Sequence, residues 1–128
     1  MKRDMELIVA LLENFANLVA LHLLRAGILR GDCAANLRKC NTRVKIGRRY
    51  ANVDVGHGDM GPGHTADWSG RYMIDMDSLE IFGIKQYGVP HKGHRYGTLT
   101  TIGEFDWGNF HGVRIPADRL RDALDQTD

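Results

Sequence analysis

Two cysteines, three prolines and a net charge of only +1 stand out as scarcities in this 128-residue chain. Small secreted domains are commonly stapled by several disulfides. Cys33 and Cys40 alone therefore favour a reducing compartment and a cytoplasmic location, and both thiols are expected to be free and buried. Long unbroken apolar runs are also missing. The most apolar stretch, residues 7–24, is interrupted by Glu13, Asn14, Asn17 and His22. A membrane-spanning helix needs about 20 mostly apolar residues. A signal peptide has an unbroken apolar stretch and a small-residue cleavage site. The stretch is accordingly read as the helix of a water-soluble protein, and no membrane partner is expected. Catalytic motifs are scarce as well. No Gly-x-Ser-x-Gly elbow frames Ser69, and the cysteines carry no local reactive signature. The glycines at 56, 58, 61 and 63 follow a strand pattern but open no helix, which excludes a Walker loop or a dinucleotide fingerprint.

What is present is ordinary globular composition, 43% hydrophobic and 26% charged. That composition excludes a disordered chain. The length suits one domain over 1–128, helical over 1–42, β-rich over 43–115 and closed by a helix over 116–128. Charge is unevenly spread. Residues 1–50 hold ten Lys or Arg against four acids, and residues 51–128 hold seven against twelve. A basic half and an acidic half point to a polyanionic partner or to self-complementary assembly.

The spacing predicts a helix over 4–26, with Asp4 as its cap and Gly27 as its stop. Ile8, Leu11, Leu12, Phe15, Leu18 and Val19 form one stripe at three- and four-residue intervals. Leu7, Ala10, Leu21, Leu23 and Leu24 widen that stripe beyond what one small sheet covers. A homodimer through helix 4–26 would cover the remainder; a helix over 33–40 and the C-terminal helix are the intrachain alternative. Helix 33–40 would be capped by Asp32, with Cys33, Leu37 and Cys40 on one face.

From residue 43 the period changes to two. Strands are expected over 44–46 and 50–55, then a glycine-rich loop over 56–70. A hairpin follows, 71–76 and 79–87, turning at Asp77 and Ser78. A second loop over 88–94, a strand over 95–102 and a short strand over 113–115 complete the β part. Pro116 opens the last helix. Phe105, Trp107 and Phe110 are read as a plug at one end of the core, against the alternative of an exposed binding knob. The expected fold is α+β: an N-terminal helical hairpin packed on a small twisted antiparallel sheet or partial barrel, with a short C-terminal helix.

Four segments carry a resemblance: Gly47-Arg48-Arg49-Tyr50 with Val53-Asp54, residues 69–75 (SGRYMID), residues 81–89 (IFGIKQYGV) and residues 94–99 (HRYGTL). Over about residues 45–107 the chain resembles small phage and plasmid proteins of no assigned activity. It differs from them in its N-terminal helices and in the length of the 56–68 loop. The resemblance implies an accessory protein of a mobile element and transfers no catalytic residue.

Two constellations could carry chemistry. The first is the basic segment Arg38, Lys39, Arg43, Lys45, Arg48 and Arg49, with Tyr50 beside it. Cations neutralise phosphates and aromatic rings stack on bases, so this segment is the candidate nucleic-acid site. Tyr72, Tyr87 and Tyr96 would extend it if they face outward. The alternative is a solvated helix end and a charged strand edge. The second is histidine: His57 and His64 in one glycine-rich loop, His91 and His94 in the other. Convergent imidazoles suit zinc, although this spacing matches no zinc signature.

The leading expectation is a non-enzymatic binding protein that contacts nucleic acid or a nucleoprotein complex and needs no cofactor. The alternatives are a surface-contact inhibitor of a host protein and a zinc enzyme built on the four histidines.

Overall fold

The computed structural model describes residues 4–57, 67–109 and 111–119. Helix α1 spans Met5–Arg30. Asp4 caps it as expected, its carboxylate accepting from the backbone N–H of Glu6 at 3.0 Å and of Leu7 at 3.4 Å. One face, Ile8, Leu12, Phe15, Ala16 and Val19, is buried.

Gly27 does not end the helix. The stop is Gly31, whose φ of 76° is the left-handed conformation. Its N–H donates to Ile28 O at 3.0 Å and the N–H of Asp32 donates to Gly27 O at 2.9 Å, the paired bonds of a Schellman cap. Gly27 serves packing instead: a Cβ there would lie 2.8 Å from Leu37 Cδ2.

The expected second helix shrinks to a single turn, α2, Ala34–Leu37, preceded by Cys33 rather than Asp32. Asp32 is committed to the end of α1, where it takes a 2.9 Å hydrogen bond from Arg30 Nη2. The chain therefore opens with one long helix and a turn, not a helical hairpin. Cys33 is exposed and Cys40 half-buried, both free, because so short a helix has no face to bury them.

Five strands follow: β1 Asn41–Ile46, β2 Tyr50–His57, β3 Asp67–Asp75, β4 Glu80–Gln86 and β5 Val89–Thr98. They form one antiparallel sheet in chain order, β1-β2-β3-β4-β5. β1 and β5 remain edges, so the sheet is open and not a barrel. A 3-10 turn at Ile102–Glu104 leads to the pair β6 Phe105–Asp106 and β7 Val113–Arg114. Ala117–Arg119 begins a helical turn after Pro116; the rest of the expected closing helix, and Phe110, lie outside the described residues.

Strand alternation gives the sheet two faces. The inner rows, Val44–Val53–Tyr72 and Ala51–Ile74–Ile81, follow the register. The core they form with α1 also includes Phe105 and Trp107. Thr42 Oγ1 ties the edge strand to the helix by donating to Ala16 O at 2.9 Å. Trp107 is fully buried, as a core plug should be. It meets Phe15 at 4.7 Å and Tyr72 at 5.2 Å between ring centres, both edge to face, the arrangement that ring quadrupoles favour. Its indole N–H donates to Ile102 O at 3.0 Å and its backbone N–H to His22 Nδ1 at 2.9 Å. His22 thus holds the aromatic segment against α1. Burial, reinforced by neighbouring Arg25 and opposed by Asp106, lowers the His22 pKa.

All of the expected loop over 88–94 except Gly88, which stays in the turn, belongs to β5. Phe82 pairs with Arg95 while the next residue, Gly83, pairs with His91. Residues 92–94 therefore stand unopposed in a bulge, which is why a glycine- and histidine-rich stretch resembles a loop yet continues a strand.

Candidate nucleic-acid interface

The outer face of the sheet carries the residues that alternate with the core. On β2 these are Tyr50, Asn52 and Asp54; on β3, Trp68, Gly70 and Met73; on β1, Arg43 and Lys45. The register sets Arg43 opposite Asp54, Lys45 opposite Asn52, and Asn52 opposite Met73. Met73 and its partner Phe82 are buried on this side, so the face has an apolar floor.

Three cation–aromatic pairs lie along this surface. The Arg43 guanidinium is 4.8 Å from the centre of the Trp68 ring. The Arg49 guanidinium is 5.4 Å from that of Tyr50. Lys45 Nζ is 3.2 Å from Tyr87 Oη and 5.6 Å from its ring centre. Those two distances place the ammonium beyond the hydroxyl and not over the ring, so Lys45 leaves the Tyr87 face open. Tyr87 is 56% exposed. Gly70 makes room for it: a Cβ there would lie 3.0 Å from Tyr87 Cδ1 and 2.9 Å from Ile84 Cδ1.

The structure divides the seven residues of the basic segment. Arg43, Lys45 and Tyr50 share the outer face, and Arg48 and Arg49 are exposed in the β1–β2 turn. Arg43 is committed elsewhere: its Nε donates to Asp54 Oδ2 at 2.9 Å, and Asp54 is fully buried. The Asp54 Oδ1 atom has no hydrogen-bond partner, so Arg43 is the sole compensation for this carboxylate among the described residues. Lys39 stands on the helix side of the sheet, in a groove of about 350 Å³ with Arg30, Asp32, Cys40 and Arg71. Arg38 is exposed at the end of α2, its Nε reaching back to Ala34 O at 3.5 Å.

Tyr72 and Tyr96 face inward and do not extend the surface. Their rings meet edge to face at 5.8 Å, and burial raises the pKa of both phenols. Trp68 is the outer-face aromatic that the sequence pattern missed. Its partner Arg43 lies across two strands, and no local spacing signals that contact.

A larger groove of about 680 Å³ lies where β3, β4 and the β5 bulge meet, lined by Ser69, Arg71, His94, Arg95, Tyr96 and His111 among others. His94, on the wall of this groove, stacks on His91, 3.9 Å between ring centres and 8° from parallel. Stacked imidazoles hold their lone pairs in separate, nearly parallel planes, whereas two ligands of one ion must converge on it. His57 ends β2, and His64 lies outside the described residues. Among the described residues, no three of His, Cys, Asp or Glu stand close enough to hold a metal ion together.

No protein-family model, no curated protein and no solved structure matches the chain. The geometry of the outer face therefore carries the functional reading.

Proposed function

We propose that this chain is a non-enzymatic accessory binding protein of a mobile element that holds single-stranded nucleic acid on the outer face of its sheet. One observation carries the reading: Tyr50, Trp68 and Tyr87 share that face with Lys45, and Arg48 and Arg49 stand at its β1–β2 end. Aromatic rings on an open sheet accept unpaired bases by stacking, at about 1–3 kcal/mol per base. Cations beside them follow the phosphates. An open single strand suits this better than a duplex, whose bases are already stacked on each other. The resemblance of residues 45–107 to phage and plasmid proteins supports the mobile-element assignment.

Titration of a labelled single-stranded oligonucleotide at several salt concentrations tests the proposal. The logarithm of affinity falls linearly with the logarithm of salt. Replacing Arg48 and Arg49 together by Ala lowers that slope by about 1–2, the loss of two phosphate contacts. Absence of binding at low salt refutes it.

A further inference from the structure

The buried face of α1 leaves a second stripe on its opposite side. Leu7, Ala10, Asn14, Asn17, Leu21, Leu24 and Ile28 recur at alternating three- and four-residue steps, and every one of them is exposed. The exposure is large where the residues are large: 58% at Leu7, 60% at Leu21, 37% at Leu24 and 58% at Ile28. An apolar hollow of about 200 Å³ lies among Leu21, Leu24, Arg25, Ile28 and Leu29. Such a repeat is the seam of a two-stranded coiled coil, and leucines exposed together mark an interaction surface.

From this stripe we infer that α1 pairs antiparallel with α1 of a second copy, and that the protein is a two-fold homodimer. The stripe is complementary to its own reverse. In an antiparallel pair each first-position residue of a heptad meets a fourth-position residue of the other helix. Leu7 then meets the partner's Leu24, Ala10 meets the partner's Leu21, and Asn14 meets the partner's Asn17. The two polar positions fall together in the central layers, where their amides satisfy each other and fix the register, as a seam asparagine does in coiled coils. The flanking positions agree. Arg25 comes beside the partner's Asp4, the half-buried Leu11 beside the partner's Leu18, and Glu13 beside the partner's Ala20, so no like charges meet. A closed two-fold contact of one surface with itself is the commonest homo-oligomeric arrangement.

A bilayer is the competing occupant, since α1 is long and apolar enough to cross one by length and composition. The structure of α1 favours the second copy. The other face of α1 is held by the sheet, and two asparagines sit in the middle of the exposed seam, where lipid has no partner for them. In the dimer the two helices lie between the two sheets, so the outer faces point in opposite directions.

Sedimentation equilibrium on the full chain tests the inference, and it is independent of nucleic-acid binding. The wild type is expected at twice the 14.4 kDa chain mass. Leu21→Glu is expected to sediment at the single-chain mass with an unchanged circular dichroism spectrum. Orientation is read by cross-linking after Cys33 and Cys40 are replaced by Ser. A chain with Leu7→Cys and Leu24→Cys is expected to form an intermolecular disulfide, and one with Leu7→Cys alone is not. A folded wild-type monomer at high concentration overturns the inference. So does a Leu21→Glu chain that fails to fold, a Leu7→Cys chain that cross-links alone, or a wild type that partitions onto lipid vesicles through α1.

Discussion

Arg43 Nε donates to Asp54 Oδ2 at 2.9 Å, and the carboxylate it reaches is fully buried while the arginine side chain is 38% exposed. A buried charge is tolerated only when it is paired. The pairing makes Arg43 part of the fold and removes it from the set of cations available to a ligand. Arg43→Ala should therefore cost about 2–3 kcal/mol, less than a fully buried pair because the arginine's outer side remains in solvent. Arg48→Ala, exposed in the turn, should cost under about 0.5 kcal/mol. Urea denaturation of both variants checks this. Equal midpoints would show that the Arg43–Asp54 pair contributes nothing to stability.

His22 gives the protein a pH dependence of definite sign. Its Nδ1 accepts the N–H of Trp107, and burial lowers its pKa. A histidine whose folded pKa is depressed binds fewer protons folded than unfolded. Its contribution is complete above the unfolded value of about 6.5 and is lost as pH falls through the folded value. The melting temperature should therefore drop as the pH falls below about 6.5, and drop less in His22→Gln, which has no titrating group. Parallel pH profiles for the two proteins would contradict this role of His22.

The two glycines at the end of α1 should differ in their tolerance of alanine, Gly31 losing stability and Gly27 changing little. At Gly31 the backbone is left-handed and nothing lies within 4 Å of a Cβ. Gly31→Ala should therefore cost only the backbone strain, about 1–2 kcal/mol. At Gly27 the helix gains about 1 kcal/mol from alanine, and the methyl meets the movable end of Leu37, so the change should be close to neutral. Denaturation midpoints give the order. If Gly27 were the cap, the order would reverse.

These positions show what the sequence made legible. The buried stripe of α1 was readable because Ile8, Leu12, Phe15 and Val19 recur at helical spacing. The hairpin of β3 and β4 was readable because alternation switches cleanly around Asp77 and Ser78. Gly27 was misread because a glycine after an apolar run signals a cap, whereas its actual reason, Leu37, lies in the next element. The β5 bulge was misread because Gly88, Pro90 and Gly93 mimic a loop, and only the pairing with β4 shows the strand continuing. Half of the candidate site was visible as a run of cations. The other half was not: Trp68 on β3 and Tyr87 in the β4–β5 turn reach Arg43 and Lys45 from 25 and 42 residues away in the chain. His22 looked like an interruption of an apolar helix, and its hydrogen bond to Trp107 spans 85 residues.

The stacking surface makes its own demand on mutants. Tyr87 is half exposed and its ring is free of Lys45, so Tyr87→Ala should weaken single-strand binding by about 1–3 kcal/mol. Its effect on stability should be small. Tyr96→Ala, by contrast, removes a ring packed against Tyr72 and Trp107 and should destabilise the fold. Oligonucleotide titration and thermal melting of the two variants separate these outcomes. A Tyr87→Ala protein that binds like the wild type would remove Tyr87 from the interface.

A backbone amide chemical-shift titration with a single-stranded oligonucleotide at low salt probes the outer face of the sheet residue by residue. Binding on that face should give saturable shifts concentrated at Lys45, Arg48, Arg49, Tyr50, Trp68 and Tyr87, with the buried face of α1 unperturbed. Shifts confined to α1 or to the groove beside the β5 bulge, or no shifts at all, would contradict it.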